Sequence, residues 1–153
     1  MRLWRIGSAL FPVWSGEGAR LKGGRWNLPG TPAIYASTSY AAAVLEVLVH
    51  ANTGRVPPGL RHIVVDIPND AIIQRLRADD VPNWDAIPPD TSRRAGNDWL
   101  RGKTGLVLLV PSVITGGMDM NAIVNPLHPD FATITVSEED TVRWDPRLLA
   151  PRP

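Results

Sequence analysis

Proline and glycine occur so often in this sequence that its helices and strands must be short. Fifteen of the 153 residues are proline and thirteen are glycine. Both interrupt regular structure, because proline lacks a backbone N–H and glycine has a large conformational entropy to lose. No repeat, low-complexity block or linker divides the chain. We therefore expect a single domain that buries a core of its own.

The apolar segments between these interruptions predict seven strands and three helices. Strands are expected at 3–7, 33–37, 61–67, 105–114, 122–126, 132–136 and 141–144, and helices at 37–52, 69–77 and 90–102. The run at 105–114 is the most apolar and is expected to be a central strand. Since strands and helices do not alternate strictly, the pattern indicates an α+β fold and not a doubly wound sheet.

The composition excludes several kinds of site. There is no cysteine, so the chain has no disulfide framework, thiolate metal site or cysteine nucleophile. The three histidines, His50, His62 and His128, follow no recognisable ligand spacing, and no metal site is expected. Neither the G-x-S-x-G elbow of serine hydrolases nor a phosphate-binding P-loop motif occurs.

The first residues do not resemble a signal peptide, and no apolar run approaches ~18 residues, so a cytoplasmic protein is expected.

Positive charge is concentrated in residues 1–62, which carry seven Lys or Arg against two Glu. Residues 63–153 carry nine against thirteen acidic residues. A local positive field suits an anionic ligand such as a nucleotide pyrophosphate, but it is weaker than a nucleic-acid-binding protein requires.

The segment GGRWNLPGTPAIYAS, residues 23–37, has an unusual mixture of residues for a surface turn. Arg25 is either an anion clamp or an exposed loop arginine. Tyr35 is either a stacking platform or a packed core residue. Arg5 lies among apolar residues of the first predicted strand and needs a polar partner or a ligand.

The helix predicted around 38–51 carries one carboxylate. Helical spacing places an apolar face on one side and a small polar face on the other; the first contains Ala41, Val44, Leu45, Leu48 and Val49, and the second Ser39, Ala43, Glu46 and His50. In a partly desolvated groove, Glu46 could stabilise positive charge or hold a hydroxyl. Alternatively, Glu46 and His50 form an ordinary i, i+4 pair in water. Ser112, which follows the most apolar run, is either a ligand hydroxyl or a local backbone partner.

Several motifs in order along the chain resemble the RES-domain family, the toxin half of RES–Xre toxin–antitoxin pairs in bacteria. They are LWRI, GGRWN, AIYAS, AAAVLEVLVH, LVPS and NPLHPDF. The resemblance runs from Leu3 to about Trp144, and it implies that 1–153 is one RES domain with a core at about 3–144 and a proline-rich tail at 145–153. The implied fold is similar to that of ADP-ribosyltransferases, with a split, curved, mixed sheet around an NAD cleft.

The resemblance also implies which residues form the site. Glu46, Arg25, Tyr35 and Ser112 are the implied catalytic residues; Arg25, Tyr35 and Ser112 would also bind NAD⁺, together with Arg5, His50 and Asn125, whose individual roles it does not define. Glu46 would stabilise the cation formed as the nicotinamide–ribose bond breaks. Arg25 would hold the pyrophosphate, Tyr35 would stack on nicotinamide, and Ser112 would position the ribose or nicotinamide.

The implied activity is cleavage of NAD⁺, which is a substrate here, so that no prosthetic group and no metal is expected. The ADP-ribose would pass to water or phosphate, or alternatively to a specific protein. A catalytically silent nucleotide-binding or interaction module is a third alternative. The implied partner is an Xre-type antitoxin that covers the active site, and the proline-rich tail is one surface on which it could dock. Direct contact with nucleic acid or a membrane is not expected, and a homodimer within the complex is compatible with the resemblance.

Overall fold

In the computed structural model, which describes residues 1–51 and 58–148, eight strands form one sheet and three α-helices pack around it. The strands are β1 (Arg2–Ser8), β2 (Ile34–Ser37), β3 (Leu60–Asp66), β4 (Ile73–Arg75), β5 (Val107–Pro111), β6 (Met120–Val124), β7 (Thr135–Val136) and β8 (Asp140–Thr141). The α-helices are α1 (Glu17–Lys22), α2 (Tyr40–His50) and α3 (Asp90–Gly102), and single 3₁₀ turns lie at Ala78–Asp80, Pro129–Thr133 and Pro146–Leu148. The expected α+β class is confirmed.

The sheet consists of two halves with a narrow connection. The strand order is β4-β5-β6-β2-β1-β3-β7, and β8 also pairs with β3. Strands β4 and β5 are parallel, and the other pairs are antiparallel. Seven residues of β1 pair with β3, whereas β1 meets β2 at one pair, Trp4 with Ser37. The sheet is mixed because it has both parallel and antiparallel pairs, and the one pair between β1 and β2 joins its two halves within the described residues.

Each face of the sheet carries a buried cluster. The first core includes Leu3, Ile34, Ala36, Ile63, Val65, Val107, Leu109, Ala122 and Val124. The second, on the other face, includes Trp26, Trp84, Leu100, Leu108, Val110 and Ile123. Paired residues of antiparallel strands share a face, so the register places Tyr35, Ser37 and Asn121 on the face of the second core. Helix α2 covers the same face, because the Tyr40 ring packs edge-on against His62 at 5.2 Å.

Two regions differ from the predicted elements. The helix predicted at 69–77 is wrong, because Ile73–Arg75 forms β4 beside β5. Ile72 and Ile73 remain 53% and 38% exposed, so no buried helix face exists there, and pairing with the apolar β5 outweighs local propensity. Helix α1 was not predicted, because it has only six residues and none of them is buried.

Predicted boundaries also change near the C-terminus and in α2. Of the strand predicted at 132–136, only Thr135–Val136 pairs with β3, because a 3₁₀ turn occupies Pro129–Thr133. Of the strand predicted at 141–144, only Thr141 pairs with β3. The helix predicted at 37–52 begins at Tyr40 and ends at His50; residue 52, like residues 149–153 of the predicted tail, lies outside the described residues. In the described ranges, no helix is long and apolar enough to cross a membrane.

The predicted orientation of α2 is wrong. Of its predicted apolar face, Ala41, Leu45 and Val49 are exposed, whereas Ala43 from the predicted small polar face is buried. The helix lies close to β1 and β2, where a small side chain permits close packing on the sheet. Consequently Glu46, which follows Ala43 by about one turn, faces the protein, and an apolar row is left on the surface.

Candidate active site

Glu46 is positioned by the local structure of α2. The Ser39 side chain accepts a hydrogen bond from Ala42 N at 3.1 Å and caps the helix. Ala43 is 4% exposed, so the first turn is anchored on the protein. Glu46, with 29% of its side chain exposed, is partly desolvated without being cut off from solvent. A carboxylate in this setting can face a bound ligand.

Asn121 orients the Glu46 carboxylate. It donates from Nδ2 to Glu46 Oε1 at 2.6 Å, and its own Oδ1 accepts from Ser37 Oγ at 3.2 Å. Ser37 and Asn121 are direct partners in the β2–β6 ladder, so the sheet fixes the start of this chain of hydrogen bonds. Because the amide of Asn121 is neutral, this bond leaves the negative charge of Glu46 in place, and among the described residues no Lys or Arg forms an ion pair with Glu46.

His50 contributes little to this arrangement. Its Nδ1 lies 3.8 Å from Glu46 Oε2 and 2.7 Å from the Glu46 carbonyl oxygen. The His50 side chain is 78% exposed, and surface pairs of this kind are worth little. The structure thus contains the i, i+4 neighbour relation, but it leaves the carboxylate available to a ligand.

A cavity of about 160 Å³ lies beside Glu46. It is lined by residues of α2 and of the segment that follows β5: Ser39, Ala41, Ala42, Leu45, Glu46, Ser112, Ile114, Thr115 and Asp119. The Ser112 backbone is held by Asp119 O and Gly117 N, while its hydroxyl has no hydrogen-bond partner among the described residues. Glu46 and Ser112 therefore line one cavity, and both can present hydrogen-bonding groups to a ligand there.

The Tyr35 hydroxyl forms hydrogen bonds that hold the loop of residues 24–31 in place. It accepts from Trp26 N at 2.9 Å and donates to Asn27 Oδ1 at 2.7 Å. Asn27 is fully buried and donates to Ala19 O and Thr31 O. The unusual mixture of residues in this segment is thus explained by a buried polar network that shapes the loop. Tyr35 is not among the cavity-lining residues, but it shares a sheet face with Ser37 and Asn121.

Burial raises the pKa of Tyr35 to about 12, partly opposed by a hydrogen bond from Trp26 and by the charges of Arg93 and Arg25. The folded state thus retains a proton that an unfolded tyrosine releases near pH 10. Stability from Tyr35 is fully present below about pH 10 and is lost as the pH rises through about 12. We expect phenolate absorbance to show Tyr35 ionising late, and Tyr35→Phe to remove that late step. Removal of the same step by Tyr40→Phe instead would contradict the assignment.

Arg25 lies outside the cavity, at the edge of the second core. Its Nη1 donates to Trp84 O at 3.0 Å and to Ala86 O at 2.9 Å. The other N–H groups of this side chain have no acceptor among the described residues. Arg25 is therefore held in one orientation by the protein while retaining donors for an anion.

Arg5 and Asn125 have structural partners. Arg5 donates to the carbonyl oxygens of Val13 at 2.6 Å and Tyr35 at 2.5 Å, and burial lowers its pKa to about 10. It pairs with Ile63 of the first core, so it bridges the gap between β1 and β2 from the opposite face. Asn125 is fully buried and joins Leu100 O to Leu127 N. Neither residue lines the cavity, and their roles toward NAD⁺ stay predictions.

Sequence reasoning missed three polar residues of this region: Asn121, Asn27 and Arg93. The alternation of Asn121 with Ile123 in MNAIV signals that a polar side chain shares the face of a buried one. Asn27 lies within GGRWN, but this motif alone does not show that the Asn27 side chain is buried. Arg93, in a charged helix, has no signal in the sequence that separates it from Arg94.

Comparisons with known proteins identify the family. The RES domain model matches residues 2–145. Prs ADP-ribosylating toxin of Sphingobium sp. (strain YBL2) is 35% identical over 139 residues, with 88% of this chain and 86% of that protein covered. Toxin Res of Yersinia enterocolitica is 37% identical over 153 residues, with 97% and 99% covered.

A solved structure, that of the M. tuberculosis MbcT-MbcA toxin-antitoxin complex, contains a chain with the same fold. The TM-score is 0.73 at 23% sequence identity, and the match covers 97% of this chain and 86% of that chain. The fold similarity and the matched domain agree over nearly the same length. The chain described here belongs to the RES-domain family.

Proposed function

We propose that this chain is the toxin of a toxin–antitoxin pair and cleaves NAD⁺ at the nicotinamide–ribose bond. The observation that carries the proposal is the Glu46 carboxylate, held by Asn121 at 2.6 Å in the wall of a cavity that Ser112 also lines. Two relatives have the names Toxin Res and Prs ADP-ribosylating toxin. ADP-ribosylation begins with breakage of this same bond, so the relatives' names are consistent with the chemistry.

The proposed mechanism uses the charge of Glu46. When the glycosidic bond breaks, the electron pair leaves with nicotinamide, which departs as a neutral molecule, and positive charge develops at the ribose. A carboxylate held in advance stabilises this charge more than it stabilises the neutral sugar, which lowers the barrier. Asn121 holds one carboxylate oxygen in place, and Glu46 Oε2 stays available to a ribose hydroxyl. Ser112 Oγ supplies a second polar contact from the other wall.

Arg25 and Tyr35 are proposed to hold the rest of the dinucleotide. The Tyr35 hydroxyl is bonded to Trp26 and Asn27, so the ring, and not the hydroxyl, is the part offered to the ligand. Arg25 retains N–H donors beyond those bonded to Trp84 and Ala86. These donors fit a phosphate oxygen, because charge-assisted bonds from arginine are strong and directional.

The test is incubation of the purified protein with NAD⁺ in phosphate buffer and in phosphate-free buffer, followed by chromatography of the products. We expect nicotinamide release, with ADP-ribose as the second product if water is the acceptor and its phosphorylated form if phosphate is. Absence of release in both buffers would contradict NAD⁺ cleavage by the free protein.

A protein acceptor is a second candidate, favoured by the relative that has the name Prs ADP-ribosylating toxin. It predicts transfer of label from NAD⁺ to a protein of the cell lysate, with little free ADP-ribose. The same residues serve both reactions, because only the nucleophile that attacks the ribose differs. The ratio of labelled protein to free ADP-ribose decides between the two.

An Xre-type antitoxin is the proposed partner, and the cleft beside α2 is the proposed contact. Leu45, which lines the cavity, is 38% exposed; Val49, one helical turn further along α2, is 50% exposed, and Met118, which precedes the lining residue Asp119, is 89% exposed. A row of this kind is typical of a surface that another protein covers. If the antitoxin covers this surface, the purified complex is expected to release less nicotinamide from NAD⁺ than the free chain does. Equal release would contradict the proposed contact.

A further inference from the structure

Two arginines from different segments approach the same corner of the site, which is formed by Gly24 and Tyr35. Arg93, in the first turn of α3, donates from Nε to Gly24 O at 3.0 Å. Arg25, which follows Gly24 in the chain, is fixed by Trp84 and Ala86. The charges of both arginines act on the Tyr35 hydroxyl. Both guanidinium groups are therefore near enough to the Tyr35 hydroxyl for their charges to act on it, although 68 positions separate the two arginines in the sequence.

Neither charge is neutralised within the described part of the chain. Arg2, Arg20 and Arg147 form ion pairs with carboxylates, whereas Arg25 and Arg93 form none. Asp90 and Asp98, the acidic residues nearest to Arg93 in sequence, and Asp85, which lies between the two residues that hold Arg25, are exposed and form no ion pair with either arginine. Two like charges without a counter-ion repel each other, and an anion between them would lower the energy of the site.

Both side chains also retain unused hydrogen-bond donors. A guanidinium has five N–H donors; in the described structure only Nε of Arg93 and only Nη1 of Arg25 donate to protein groups. The protein thus fixes the orientation of each fork and leaves other N–H groups without an acceptor. Two oriented guanidinium groups are better suited to bind a ligand with two adjacent anionic groups than to bind a single carboxylate.

Position 24, at this corner, has no room for a side chain. A Cβ at Gly24 would lie 2.8 Å from Tyr35 Cζ and 2.9 Å from Asn27 Oδ1. Glycine is therefore required for the close packing of Gly24 on the Tyr35 ring.

We propose that Arg93 is a second diphosphate-binding residue, which acts together with Arg25 on a nucleoside diphosphate group. The identification of that group as the pyrophosphate of NAD⁺ rests on the proposed function, but the anion site itself does not. Arg93 acts in binding and not in bond cleavage, because it lies by Gly24 and does not line the cavity with Glu46.

The test is calorimetric titration of the full chain with ADP, AMP and inorganic pyrophosphate, which are probes that the protein does not cleave at a nicotinamide bond. Arg93→Gln is expected to weaken ADP and pyrophosphate binding about tenfold or more and AMP binding less, because charge-assisted bonds to one of two phosphates are lost. Arg94→Gln is the matched control, since Arg94 is the next residue of α3 and is exposed. Its affinities are expected to equal those of the unmodified protein.

Arg93→Lys separates binding from folding. Lysine keeps the charge but cannot bond Gly24 O and a phosphate through one rigid fork, so weaker ADP binding is expected with little loss of melting temperature. If Arg93→Gln does not fold, the ADP affinity of Arg93→Lys tests the inference instead. ADP affinity unchanged in the Arg93 variants that fold, or no binding of ADP and pyrophosphate to the unmodified protein, would overturn the inference.

Nicotinamide release from NAD⁺, measured in parallel, separates this inference from the proposed function. Release combined with ADP binding that does not depend on Arg93 overturns the inference and leaves NAD⁺ cleavage intact. ADP binding that depends on Arg93, without nicotinamide release or protein labelling, supports the diphosphate site and contradicts the proposed reaction.

Discussion

Glu46→Gln is expected to lower the rate of nicotinamide release from NAD⁺ by about 100-fold to 1000-fold, the range measured when one preorganised electrostatic group is removed. Glutamine has nearly the same shape and its Oε1 can still accept from Asn121 Nδ2, a bond of 2.6 Å in the present structure. The substitution therefore removes the negative charge and little else. The expected loss is in kcat, since the charge acts on the cation that forms during bond breakage.

The fold is expected to survive this change. The ion pair of Glu46 is a long one, at 3.8 Å, with an exposed histidine, and such pairs contribute little to stability. Glu138→Gln is the matched control, because Glu138 is exposed and distant in sequence from the cavity residues; it should leave both rate and melting temperature unchanged. Full turnover by a folded Glu46→Gln protein would rule out the role proposed for this carboxylate.

Gly96→Ala is expected to cause the largest loss of stability among single methyl additions at the glycines that the structure describes. Gly96 is buried in the middle of α3, and its missing Cβ would overlap the carbonyl oxygen of Trp26 and lie 2.8 Å from Trp26 Cβ. Trp26 is 3% exposed in the second core and is held by Tyr35, so it cannot move away easily. Alanine normally stabilises a helix interior by about 1 kcal/mol relative to glycine. Here overpacking reverses the sign, and we expect a net loss of about 1–3 kcal/mol.

Urea denaturation of this variant measures the effect. Gly18→Ala is the control, because Gly18 is an exposed helical glycine of α1 whose added Cβ would meet nothing within 4 Å. It should be neutral or gain up to about 1 kcal/mol. Since Trp26 directly follows Arg25, the Gly96 variant should also bind ADP more weakly. A denaturation midpoint equal to that of the unmodified protein would show that α3 and the Trp26 segment are not packed as described.

Local sequence patterns determined much of the architecture. The frequent prolines and glycines predict short elements, and the apolar run around Val107–Pro111 predicts a buried strand of the sheet. Helix α3 was predicted at 90–102, and the structure shows the same bounds, Asp90–Gly102. The segments that carry Arg25, Tyr35, Glu46 and Ser112 were also identified from the sequence, because each combines a polar group with an apolar or glycine-rich setting.

Only the tertiary structure decided how those segments meet. Residues 73–75 became a strand because β5 offers an apolar edge, and α2 turned Ala43 and Glu46 inward because a small side chain allows close approach to the sheet. The bond from Asn121 to Glu46 spans 75 positions, and that from Arg93 to Gly24 spans 69. Hydrophobic periodicity reports which face of an element is apolar, but a polar contact of this kind depends on the register and packing of distant segments.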